Sequence, residues 1–193
     1  MREPVVDPVR RAVSVSLASL VALGSPLATT AEAGEPRQTG SRTLVAYFSR
    51  TGNTRVVAGL IHRTLDTDLF EIRPARAYPA NYLETVEQAR GERDRGDEPA
   101  LAAQVSRLAA YDTVFLGFPI WGETAPPIIR SFLSADDLAD KTLIPFVTHG
   151  GYGPGNSQSV LAHHAPRARL QTGFSMQADQ ERQTMERVTG WLK

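Results

Sequence analysis

Thr43-Leu44-Val45-Ala46-Tyr47-Phe48-Ser49-Arg50-Thr51-Gly52-Asn53-Thr54 starts as an apolar run of β-branched and aromatic residues and then turns polar around one glycine. The first half has the composition of a buried strand. After Thr54, the apolar residues Val56, Val57, Leu60, Ile61 and Leu65 recur at helical spacing. The unit is strand, tight polar loop, helix. It aims the positive end of a helix, with its unpaired N–H groups, into the loop. Ser49, Thr51 and Thr54 add hydroxyls, and Gly52 allows close backbone approach. The sum is an anion cradle without a lysine, suited to a phosphate monoester. The plainer alternative is an ordinary helix start capped by Thr51, Asn53 or Thr54. No Gly-Lys-Ser/Thr follows and no GxGxxG is present, so both common nucleotide loops are disfavoured.

The remaining chain alternates in the same way. Residues 68–72 read as a short second strand, and Pro74 and Pro79 then break regular structure. A helix is expected from near Asn81 to Arg90, followed by a charged run over residues 91–98 that reads as a solvated helix end without chemistry. Residues 101–108 read as another amphipathic helix. Residues 112–118 form a buried strand leading into Pro119-Ile120-Trp121-Gly122-Glu123-Thr124-Ala125-Pro126-Pro127, where the proline pair starts a helix faced by Ile128, Ile129, Phe132 and Leu133. Residues 142–147 form the next strand, which opens into Thr148-His149-Gly150-Gly151-Tyr152-Gly153-Pro154-Gly155-Asn156-Ser157. Glycines placed directly after a buried strand point to close approach of a ligand. Asn156 or Ser157 is suited to cap the following helix. A last strand is expected over residues 169–176, and a closing helix over 179–193 that faces the sheet with Met185, Val188, Trp191 and Leu192.

Strands and helices thus alternate five times, which predicts an α/β fold: a doubly wound, five-stranded parallel sheet. Ligands of such sheets bind beyond the carboxyl ends of the strands, where strand order reverses. The three unusual loops follow strands one, three and four.

Those loops carry a resemblance. Ser49-Arg50-Thr51-Gly52-Asn53-Thr54 after Val45-Ala46-Tyr47-Phe48, then the Trp121 loop, then the glycine-rich loop resemble, in order, the FMN site of flavodoxins. The resemblance covers almost all of residues 42–193. It implies a flavodoxin-like strand order of 2-1-3-4-5 and FMN as cofactor. It implies that Ser49, Arg50, Thr51, Gly52, Asn53 and Thr54 hold the phosphate. Pro119, Ile120, Trp121 and Gly122 would meet the isoalloxazine, and Thr148, His149, Gly150, Gly151, Tyr152 and Gly153 would meet its edge and second face. Trp121 is the candidate stacking surface, with a plug at the sheet edge as the alternative. Gly122 resembles the flavodoxin glycine whose peptide turns over on reduction, and Glu123 follows where an acid often stands. His149 is either a catalytic acid or donor to the ring, or simply a hydrogen-bond partner of its own loop. His163 and His164 read as charges favourable at a helix end, not as metal ligands.

Acidic and basic residues balance at 21 each, which disfavours nucleic acid and anionic membrane as partners. Electron-carrier flavodoxins are typically very acidic, and this chain departs from that pattern. The absence of cysteine excludes disulfides, thiolate metal sites and Cys nucleophiles. Residues 1–33 read as a cleavable export signal: Arg10-Arg11, an apolar stretch to Ala28, then Ala31-Glu32-Ala33 before Gly34. The arginine pair also fits a twin-arginine signal. The apolar run is short and interrupted for a membrane span. Cleavage removes Arg2, Arg10 and Arg11 against Glu3, Asp7 and Glu32, so the mature chain stays neutral. Residues 34–42 are a linker and 43–193 the folded domain. The expected function is electron transfer or FMN-dependent oxidoreduction, with a redox partner protein or a small-molecule electron acceptor, in the periplasm or outside the cell. A non-catalytic module for a phosphorylated ligand is the alternative.

Overall fold

Strand β1 (Thr43–Tyr47) runs into helix α1 (Asn53–Leu65), followed by β2 (Asp68–Glu71) and α2 (Tyr82–Arg95). Then come β3 (Thr113–Pro119), α3 (Pro127–Ala135), β4 (Thr142–His149), α4 (Ser157–His164), β5 (Arg169–Leu170) and β6 (Phe174–Gln177). This computed structural model describes residues 40–178 and 188–193. The expected export signal, most of the linker and Met185 of the closing helix lie outside the described residues.

The sheet is parallel throughout and ordered β2-β1-β3-β4-β5, with β6 also on β4. Side-chain alternation divides the core between its faces. Val45, Tyr47, Phe115 and Phe146 point to the face covered by α1 and by the helical residues near Val188. Leu44, Ala46, Val114 and Leu116 point to the face covered by α3 and α4 through Ile128, Ile129, Phe132 and Leu161. Helices on both faces make the sheet doubly wound, as expected. Val56 and Leu65 of α1 fall outside its buried stripe, which consists of Val57, Ala58, Leu60 and Ile61. No helix among the described residues is long and apolar enough to cross a membrane.

Three local expectations are corrected. Residues 101–107 are not a helix. Leu101 bridges antiparallel to Pro74, with Ala75 N–H to Ala100 O at 2.7 Å and Ala102 N–H to Arg73 O at 2.8 Å. Pairing with the strap after β2 overrides helix propensity there, and only a short 3-10 turn follows at Leu108–Ala110. The last strand is split. Leu170 pairs with Leu143 and Phe174 with Phe146, so the outer strand carries one extra residue. Leu143 accepts Gln171 N–H, so Pro145, two residues on, faces the same neighbour with no N–H to give. Finally, α2 runs on through Gly91 to Arg95, capped by Asn81 Oδ1, which accepts from Leu83 and Glu84, and closed by left-handed Gly96.

Candidate functional site

The loops after β1, β3 and β4 emerge side by side, because the strand order reverses between β1 and β3. In the first loop, Ser49 Oγ accepts Gly52 N–H at 3.2 Å. Gly52, at φ 101°, is itself the N-cap of α1, and no side chain caps the helix. Thr51, Asn53 and Thr54 therefore do not serve the capping role of the plainer alternative. The first turn holds no acid that would compete for its amides. Thr54 is buried and its hydroxyl lies 2.8 Å from that of Thr148, tying this loop to the end of β4. Arg50 reaches the carbonyl of Ala80 at 2.7 Å.

The second loop is a tight turn. Trp121 N–H donates to Thr124 O at 3.0 Å, across Gly122 and Glu123, both left-handed at φ 57° and 64°. A non-glycine residue in that region carries strain, so something must hold it. Asn156 N–H donates to Glu123 O at 2.9 Å, and a Cβ on Gly155 would lie only 1.9 Å from that oxygen. Only glycine permits this approach. Trp121 is fixed edge-on against Phe48 and Tyr78, with centroids 5.4 and 5.0 Å away. Tyr78 in turn donates to the buried Glu92 of α2 at 2.9 Å, and Gln88 donates to the same carboxylate. Burial, then the adjacent Glu92, drives the Tyr78 phenol well above its ordinary pKa, so it stays a donor. Trp121 is thus both packed on the core edge and open to the site.

In the third loop, His149 Nδ1 accepts N–H groups from Gly151 and Gly153 at 3.1 and 3.2 Å. His149 therefore orders its own loop, and that nitrogen carries no proton. Tyr152 points outward with 87 % exposure.

The loops surround a cavity of about 350 Å³. Arg50, Thr51, Asn53, Pro119, Ile120, Trp121, Gly122, Thr148, His149 and Gly150 line it. Ser49, Gly52, Thr54, Gly151, Tyr152 and Gly153 do not; apart from Tyr152, which stands outside, each joins the hydrogen bonds or backbone that shapes a lining loop. Two groups of lining residues were not anticipated. Thr124 is 4 % exposed, and its hydroxyl has no partner among the described residues. One face of α2 forms a whole wall through Tyr82, Thr85, Val86, Ala89, Arg90 and Arg93. The charged run is thus not wholly outside the site, since Arg93 belongs to it. Tyr82 and Val86 add apolar side chains to the face that carries these arginines. His163 and His164 lie apart from the cavity; His164 approaches Glu98 at 3.6 Å, and burial lowers its pKa.

No curated protein matches the chain. Among solved structures, a candidate flavoprotein from Bacteroides uniformis is 35% identical, with TM-score 0.69, covering 78% of this chain and 96% of its own. A second, from Bacteroides eggerthii, is 32% identical, with TM-score 0.68, covering 78% of this chain and 94% of its own. A Lactobacillus acidophilus flavoprotein in complex with FMN shares the fold at 21% identity and TM-score 0.61, covering 75% of this chain and 97% of its own. The flavodoxin family model matches residues 42–193. Strand order, the three loops at the carboxyl ends and a match across the whole folded region together make this chain a member of the flavodoxin family.

Proposed function

We propose that the cavity binds FMN and that the protein moves electrons through it. The observation that carries this reading is the donor set. An uncapped helix N-terminus without acids, an indole held by two rings and a buried hydroxyl with no partner among the described residues meet in one cavity. An anion suits the first, a flat apolar ring the second, and a polar ring atom the third. Thr51, Asn53 and the opening amides of α1 would hold the phosphate. Trp121 and Ile120 would take the ring, and Thr124 and the backbone of Gly122 and Gly150 its polar atoms. Bound FMN supplies the electron-transfer chemistry; the chain supplies binding, orientation and exclusion of water. The partner is a redox protein or a small-molecule acceptor. The segment at residues 1–33 supports export, and a mature N-terminus at Gly34 is the expected product.

The test is the visible spectrum of the purified protein after incubation with FMN and desalting. Retained flavin bands with quenched flavin fluorescence are expected. Trp121→Ala and Thr51→Ala should each weaken FMN binding at least tenfold. A colourless wild-type protein, or unchanged affinity in both variants, rejects the assignment.

A further inference from the structure

We propose that the α2 wall forms a second subsite, which takes a small planar organic anion, an aromatic carboxylate or sulfonate, beside the cofactor. The placement rests on the reading that FMN occupies the cradle of α1. Three arginines line the cavity, Arg50, Arg90 and Arg93, and no carboxylate among the described residues does. The cradle already answers the phosphate with amides and hydroxyls, and Arg50 is tied to the Ala80 carbonyl. Arg90 and Arg93 stand on the α2 wall, three residues apart.

Their surroundings separate them from an ordinary solvated face. At about 100° per residue, Tyr82, Val86, Ala89, Arg90 and Arg93 fall on one side of the helix. Glu84, Glu87, Glu92 and Asp94 fall on the rest of its circumference. Arg93 gives Nε and Nη2 to Asp94, at 2.9 and 2.8 Å, and keeps Nη1 for the cavity. A Cβ on Gly122 would lie 3.0 Å from that Nη1, so the cation abuts the turn after β3. Arg90 has no ion-pair partner among the described residues. Tyr82 and Val86, beside them, are 69% and 41% exposed, so apolar surface is left open on the same wall. Apolar surface next to two guanidinium groups is complementary to an aromatic body carrying a planar anion, which an arginine can bind by two parallel hydrogen bonds. A cavity of about 350 Å³ suits a small molecule, which disfavours a protein surface as its occupant.

The test uses two probes of one shape, 2-naphthoate and neutral 2-naphthamide. FMN-loaded protein is titrated with each, and the flavin difference spectrum gives the dissociation constants. Naphthoate is expected to bind at least tenfold tighter than the amide. In Arg90→Gln/Arg93→Gln that preference should fall below threefold. Arg90→Gln alone, which breaks no ion pair, should show an intermediate preference and guards against misfolding of the double variant. Equal binding of the two probes by the wild type overturns the proposal, as does a preference that survives both substitutions. Tenfold weaker FMN binding in the double variant would assign the arginines to the cofactor phosphate and also overturn it. If the wild type binds no FMN, the cofactor reading fails by itself. The same titrations, followed by tryptophan fluorescence, then decide the anion subsite on the same criterion.

Discussion

Replacing Thr124 by valine should make the empty protein more stable and the loaded protein weaker. Valine keeps the β-branched shape and the preferred rotamer, so the change is confined to a hydroxyl that is buried and has no partner among the described residues. Such a group costs about 1–3 kcal/mol in an apolar site. Taking the low end, Thr124→Val should gain about 1 kcal/mol without ligand, which is about 2–4 °C in Tm for a domain of this size. If the hydroxyl bonds the flavin, the variant loses about 1.4 kcal/mol of binding, a tenfold change in Kd. At FMN one hundred times the wild-type Kd, the wild type gains about 2.7 kcal/mol of stability and the variant about 1.4 kcal/mol. The variant's advantage is then cancelled, so the two melting curves should cross as FMN is added. Differential scanning calorimetry across an FMN series reads this directly. A variant that melts below the wild type without ligand means the hydroxyl is already satisfied, by a buried water. A constant gap across the series means no ligand atom reaches it. Either result refutes the reasoning.

Further predictions concern the fold around the site. Burial pushes the Asp136 carboxyl up to about 6, above its ordinary value of 3.8. The folded state therefore holds the proton more tightly, and its stability falls as pH rises from about 4 to about 6. Because Asp136 is only half-buried, solvent screening reduces the effect to about 1 kcal/mol. Asp136→Asn should accordingly gain that much relative to wild type between pH 4 and pH 7.5 in urea denaturation; a pH-independent difference would sink the idea. A Cβ on Gly117 would lie 2.1 Å from the Phe146 ring, its cross-strand partner. Gly117→Ala should cost about 3 kcal/mol, partly recovered by adding Phe146→Leu; strict additivity in the double-mutant cycle would argue against a direct clash. His149→Ala removes the acceptor of the Gly151 and Gly153 amides. Their hydrogen exchange should speed up about tenfold, the value of one hydrogen bond, and unchanged protection would show that the loop is ordered by other means.

Local patterns carried the fold. The β-branched runs of β1, β3 and β4 and the spaced apolar residues of α3 bury the residues their period selects, and α1 buries Val57, Leu60 and Ile61 of its five. The three loops after them were legible for the same reason: glycines, hydroxyls and a tryptophan stand where regular structure stops. What could not be read depends on contacts between segments distant in sequence. Residues 101–107 have a helical pattern, yet Pro74 and Ala75 offer them a strand-like partner. Thr124 is one threonine among many until its hydroxyl is found buried and unmatched. The wall formed by α2 was hidden because its inward face mixes Tyr82 and Val86 with arginines, and neither apolar period nor charge alone marks such a face. Tyr152 looked like a second flat surface, but Gly151 and Gly153 bind back to His149 and leave it outside.

The contact of Gly155 with Glu123 makes the loops after β3 and β4 behave as one part. Neither can be shortened, lengthened or exchanged for the loop of a relative by itself, because the strained turn of one is held in place by the missing side chain of the other. The Thr54–Thr148 pair extends that dependence to the first loop. A redesign of this binding site therefore has to transplant all three segments together.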